Sequence, residues 1–282
     1  MPKHLLLLSG ILITIFTLAA YPSPSLAEFR HAATPAQGAF APAESKQISG
    51  PHIRRVTKKS VVLEVEQPKS ILEKILDTSG VINGQRALVG DIIGMLDDAC
   101  LEKLETFAVM YDSRKRRGLA GKGVILIRGD VPDKELAGLL IHEGLGHFRD
   151  ITCITGTGES GVSAFRDGDD AIYNDDPSVA FYGISWADGK TRKIGAKRED
   201  FVTGYAYEGD NFEDLAESVT YYMTREGDFR LRAASNAVLA RKLAWLETHM
   251  PKTRNVAESS RPAWDGIIAW DATKLGFTWA RE

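Results

Sequence analysis

The chain has 282 residues, 44% of them hydrophobic and 26% charged, an ordinary globular composition with enough apolar content for one sizeable core. A net charge of -3 gives no electrostatic case for nucleic acid, whose binders are usually basic, and nothing in the composition reads as disordered or collagenous.

Lys3 supplies a positive start, Leu5 to Ala20 is an apolar run, and Ser25-Leu26-Ala27 offers small residues where a signal peptidase reads. Residues 1–27 are therefore expected to be a signal peptide. The run is on the short side for a membrane span, and an uncleaved anchor is the competing reading. No cysteine lies near the cut, which argues against a lipoprotein. The mature chain is expected to begin near Glu28 and to be exported, periplasmic or secreted, with no stable membrane insertion once the signal is removed. Cys100 and Cys153 are an even pair in such a chain, and either a disulfide or two buried thiols fits them.

Residues 28–60 are rich in Ala, Pro, Gly and Ser and read as a linker or flexible arm, in which His31 and His52 are expected to be solvated. One domain is expected over 61–282. Val61-Val62-Leu63-Glu64-Val65 reads as a strand, and Ile71, Leu72, Ile75 and Leu76 recur at helical spacing before Gly80. Ala87 to Glu105 predicts a helix or a pair of helices, and Phe107 to Tyr111 a strand. Arg114 to Arg117 is a basic run, read as a solvated turn.

Gly123 to Arg128 predicts the next strand. Pro132 then suits the first turn of a helix that carries Leu136, Leu139, Leu140 and Leu145 on its buried stripe. Thr152 to Asp200 is loop-rich. Its Gly156–Gly161 stretch lacks the ending of a phosphate loop, and its acidic residues Asp167, Asp169, Asp170, Asp175 and Asp176 lack the spacing of a calcium-binding hand. Val179 to Trp186 is expected to be a strand. Phe212 to Met223 predicts a strong helix capped by Asn211, and helical periodicity returns from Leu231 to Trp245 up to Pro251. Trp264, Trp270 and Trp279 in the tail are expected as packing anchors.

The chemistry concentrates in His142-Glu143-Gly144-Leu145-Gly146-His147. The short zinc-hydrolase signature H-E-x-x-H puts two imidazoles on one helix face with the glutamate as general base. This chain has one residue more. On a regular helix, positions i and i+4 lie about 40° apart in projection, whereas i and i+5 lie about 140° apart, too far to share a metal. An i→i+5 turn restores the alignment, and Gly144 and Gly146 weaken the regular helix where it must distort. The sequence thus predicts a π-type widening between His142 and His147.

Catalytic zinc sites usually have three protein ligands and an open position. The second strong helix offers Glu213 and Glu217, four apart and on one face, so that Glu213 can reach the metal while Glu217 accepts a hydrogen bond from a ligand imidazole. Asp214 is assigned to this supporting shell beside Glu217. His249 is the rival third ligand.

The histidine motif is similar to the H-E-x-x-G-H motif of dipeptidyl peptidase III, which has the same extra residue and a glutamate ligand in an E-E-x-x-A-E motif. Its counterpart here is Glu213-Asp214-Leu215-Ala216-Glu217, and the resemblance puts the ligand at Glu213. Outside these motifs that similarity stops, and this chain is much shorter. The stretch from about 120 to 250 more closely resembles the catalytic domain of anthrax-lethal-factor-type metallopeptidases and small exported relatives, in which a tyrosine precedes an E-x-F-A-E-type helix. Phe201 to Ala206, followed by Asn211 to Glu217, matches that arrangement, with the tyrosine-to-ligand spacing one residue longer. The resemblance implies Tyr205 as the phenol that steadies the oxyanion, with Tyr207 its neighbour.

Together these readings lead to an α+β, zincin-like metallopeptidase domain of the glutamate-liganded type, mainly helical with a small sheet ahead of the motif helix. One Zn2+ is expected on His142, His147 and Glu213, with Glu143 as general base acting on a peptide or protein substrate. The alternatives are a zinc-containing binding or inhibitory module without turnover, and a hydrolase of non-peptide amides.

Overall fold

The structure is a computed structural model that describes residues 69–112, 116–250, 256–257 and 264–279. The expected signal peptide, the arm, the strand Val61 to Val65, His31, His52 and Pro251 lie outside the described residues, as does the Trp279 side chain. The fold is α+β, about half helical with a small sheet.

The chain begins with α1, Ile71–Thr78, opened by a reciprocal cap in which Ser70 accepts from the Glu73 N–H and the Glu73 side chain returns to Ser70. Gly80 follows in the left-handed region (φ 75°), where only glycine is unstrained, and Val109 N–H donates to Ser79 O across the turn. Ala87 to Glu105 resolves into α2, Asn83–Ile93, and the single turn α3, Asp98–Leu101. The expected strand is β1, Thr106–Met110, followed by β2, Gly118–Gly121, and β3, Val124–Arg128.

The sheet order is β1-β3-β2, with β1 parallel to β3 and β2 antiparallel to it, pairing Gly118 with Ile127 and Gly121 with Val124. Alternation in β3 sends Ile125 and Ile127, both fully buried, into the core, worth roughly 1.5–3 kcal/mol each. The strand ahead of the motif helix is the sheet's centre, with β1 and β2 at its edges. β2 is absent from the expected strands because two glycines and a basic run read as a turn.

Helix α4, Asp133–Leu140, starts one residue after Pro132 and is buried from Leu136 onward. It runs without a break into a π-helix, Ile141–Cys153. The widening is therefore not one inserted turn but thirteen residues of i→i+5 helix, ending with Ile154 N–H donating to Arg149 O. A hairpin of β4, Val162–Asp167, and β5, Asp170–Tyr173, follows. Asp175 of the acidic stretch receives Thr157 N–H at 2.8 Å and Ser160 Oγ at 2.8 Å, pinning the loop.

Val179 to Trp186 is not a strand. It belongs to α5, Pro177–Ser185, with Asp176 as cap and Pro177 in the first turn. Its buried residues are Ser178, Phe181, Tyr182 and Ser185, a helical i, i+3, i+4, i+7 stripe that two serines disguised as an apolar run.

After a short turn at α6, Gly204–Glu208, comes α7, Asn211–Thr224, buried along most of its length. Its cap is Asp210, one residue ahead of the expected Asn211: the Asp210 carboxylate accepts from Phe212 and Glu213 N–H, while the buried Asn211 side chain has no hydrogen-bond partner among the described residues. The last periodic stretch is two helices, α8, Glu226–Ala233, and α9, Ala237–His249.

The π-helix packs lengthwise on α7, and a Cβ added to Gly146 would come within 2.8 Å of Ala216 Cα. Cys100 of α3 and Cys153 at the end of the π-helix form a disulfide, with Cα atoms 5.2 Å apart. No helix among the described residues is long and apolar enough to cross a membrane.

Candidate metal centre

The π-helix brings His142 and His147 onto one face, their rings 4.8 Å apart and edge to face. Glu213, in the first turn of α7, meets both with one oxygen: Oε2 lies 3.2 Å from His142 Nε2 and 3.3 Å from His147 Nε2. The nearest ligand atoms of the three residues lie within 4.8 Å of one another, so the group can hold a metal ion. Two imidazoles and a carboxylate are also the donor set of known three-ligand catalytic sites.

The charges are mutually adjusted. Burial opposes an imidazolium at His142, but the Glu213 and Glu217 carboxylates outweigh it and push its pKa up to about 10. Burial likewise raises Glu213, yet the two histidines bonded to it hold it well below the usual carboxylate range.

Glu143 is buried and faces the same cleft, and its carboxyl is raised by burial, against the pull of the two histidines. Gly118 of β2 leaves room for it, because a Cβ there would run into the Glu143 carboxylate. Tyr205 donates to Glu213 Oε1 at 2.9 Å, and burial together with Glu213 holds its phenol well above the ordinary range, so it stays protonated. Tyr207 turns away, its ring 4.0 Å beneath the Arg192 guanidinium.

Behind the ligands, the fully buried Glu217 carboxylate has Oε1 3.2 Å from His142 Nδ1. The angle is too poor for a hydrogen bond, and neither atom has another partner among the described residues. Asp214 does not join this shell. It points to the far side of α7, where it pairs with Lys242 Nζ at 2.7 and 2.8 Å and accepts from Trp186 Nε1 at 3.0 Å. His249 is also elsewhere, stacked on Trp245 at 4.2 Å with Nδ1 2.8 Å from Trp245 O.

The cleft holds about 640 Å³. Its rim includes residues that carry no site motif in the sequence. Leu119 and Ala120 come from β2, Phe212 from α7, and Trp270 and Asp271 from the tail. Trp270 is 56% exposed and lies 6.3 Å from the Tyr205 ring, so it is a wall of the cleft and not the packing anchor expected. Arg117, read as part of a solvated turn, is half-buried and bonds Glu135 at 2.9 Å, Thr273 at 2.8 Å and Asp271. Those partners lie as many as 156 positions away in the chain, too far for any local signal. Comparison of the chain with protein-family models, with curated proteins and with solved structures gave no match.

Proposed function

We propose that this chain is an exported zinc-dependent peptidase of the glutamate-liganded zincin type. The observation that carries the reading is the meeting of His142 Nε2 and His147 Nε2 on one oxygen of Glu213, in a cleft shared with Glu143 and Tyr205. An edge strand at the rim, β2, suits an extended peptide, which can add to it by backbone hydrogen bonds. The Cys100–Cys153 disulfide supports a chain that leaves the reducing cytoplasm.

His142, His147 and Glu213 would hold one Zn2+, which when bound polarises the scissile carbonyl and lowers the pKa of a water towards ~7. Glu143, buried and raised by that burial, takes the attacking water's proton and delivers it to the leaving amine. Tyr205, protonated at neutral pH, donates to the developing oxyanion after releasing Glu213 Oε1. Glu217 would accept the His142 Nδ1 proton from behind once that ring holds the metal.

The test is zinc content together with cleavage of a broad peptide library. The wild type should carry one zinc and cleave. Glu143→Gln should keep the zinc and lose roughly 10²–10⁴ in rate, and Tyr205→Phe about 10²–10³. A wild type that binds zinc and cleaves no peptide would support the binding or inhibitory module instead, and one that cannot take up metal would overturn both.

A further inference from the structure

We propose that Thr203 and the backbone N–H of Ala272 are positioning groups of the metal centre, acting through Glu217, so that the tail segment 264–277 is a working part of that centre. The inference rests on the proposed function only in requiring that His142, His147 and Glu213 bind zinc.

The argument starts from the two ends of one buried carboxylate. Glu217 Oε2 receives Thr203 Oγ1 at 2.5 Å and Ala272 N–H at 2.8 Å, while Oε1 faces His142 Nδ1 at 3.2 Å. With two donors fixed on one oxygen, the carboxylate cannot rotate without breaking both bonds, so the other oxygen stays aimed at the imidazole. A cation on His142 Nε2 requires the ring's proton on Nδ1, and that proton needs an acceptor. Glu217 Oε1 is the acceptor in place, and the poorly aligned, otherwise unpartnered pair is what a small ring rotation on loading would complete.

The two donors are themselves held. Thr203 caps α6, accepting from Ala206 N–H at 3.1 Å. Ala272 opens a 3₁₀ turn, Ala272–Lys274, whose cap Asp271 accepts from Thr273 N–H at 2.8 Å and pairs with Arg117. The tail is laced to the start of α6 by Gly204 N–H to Ala269 O and Tyr205 N–H to Trp270 O, both 2.7 Å. It also enters a slot that only a glycine leaves open, since a Cβ on Gly138 would come within 2.7 Å of Thr273 O. The N–H that anchors Glu217 thus comes from a segment fastened at several independent points.

Thr203→Val removes the hydroxyl at nearly constant volume, and Thr203→Ser restores it. Ala272→Pro removes the N–H and sets the ring Cδ in its place against Glu217 Oε2, so it both deletes the donor and displaces the carboxylate. Asp271, at φ -146° and ψ 123°, already has the backbone that a residue before proline prefers, and Ala272 is the first residue of its turn. The readouts are the zinc dissociation constant by chelator competition, the visible spectrum of the Co2+-loaded protein, and the thermal midpoint in excess chelator. Thr203→Val and Ala272→Pro should each weaken zinc about 10–100-fold and shift the Co2+ bands, with Thr203→Ser at the wild-type value. Should Ala272→Pro fail to fold, the Thr203 pair decides. An unchanged zinc affinity and spectrum in Thr203→Val, or a loss that Thr203→Ser does not repair, would overturn the inference. A wild type that takes up no zinc would overturn the metal centre and this inference with it. One that binds zinc but cleaves nothing would overturn only the peptidase reading, leaving the affinity comparison to decide this one.

Discussion

Gly146 of the π-helix lies flat against Ala216 of α7, so close that any side chain on Gly146 would come within 2.8 Å of both Ala216 Cα and Cβ. This contact sets the separation of the helix that carries the two histidines from the helix that carries Glu213. Gly146→Ala must push the helices apart, because its Cβ meets backbone and not the flexible end of a side chain. Overpacking of this kind should cost about 1–3 kcal/mol in denaturant unfolding. The same variant should bind zinc more weakly, since Glu213 Oε2 moves away from His142 and His147. Unchanged stability would show that the helices do not meet as closely as described.

The disulfide fastens the far end of the same π-helix. Cys153 is its last residue, and Cys100 lies 53 positions earlier, in α3. Closing a loop of that length restricts the unfolded chain by an amount worth ~4 kcal/mol on the chain-entropy account. Cys100→Ala combined with Cys153→Ala should lower unfolding stability by about that much, and reductant should do the same to the wild type but not to the double variant. A reductant-insensitive wild type would mean that the cysteines are unpaired.

Asp214 and Lys242 form a fully buried ion pair that ties α7 to α9. Lys242→Met leaves Asp214 charged, buried and held, among the described residues, only by Trp186 and a distant Ser218 hydroxyl. The expected loss is about 3–5 kcal/mol. Lys242→Met with Asp214→Leu should recover much of it, because removing both charges removes the uncompensated one. A single variant as stable as the wild type would contradict the pairing.

The metal-free centre gives a pH dependence of definite sign. His142 is raised from an ordinary 6.5 to about 10, so its contribution to stability is fully present below about 6.5 and is lost as the pH rises to about 10. In excess chelator the thermal midpoint should therefore fall across that window, and His142→Ala should flatten the fall. Metal binding must displace the same proton, so zinc affinity should rise with pH. A chelated protein whose midpoint climbs between pH 6.5 and 10 would refute the assignment.

What the sequence determined by itself was local chemistry and periodicity. The spacing of His142 and His147 cannot work on a regular helix, and that alone called for the i→i+5 geometry found over Ile141–Cys153. The four-residue spacing of Glu213 and Glu217 on one helix placed one carboxylate at the imidazoles and the other behind them. Local signals failed where two serines on the buried stripe hid its helical period, as in α5, or where glycines and charges concealed an edge strand, as in β2. They failed again at Asp214, which shares the helix of Glu213 and Glu217 but faces Lys242 of α9.

Only the tertiary structure decided which distant segments complete the site. Thr203, Arg117, Trp270, Asp271 and the N–H of Ala272 reach Glu217 or the cleft rim across long stretches of chain. Such contacts have no period or motif of their own. They exist because a buried carboxylate must find donors, and once the helices are packed the tail passes close enough to supply one.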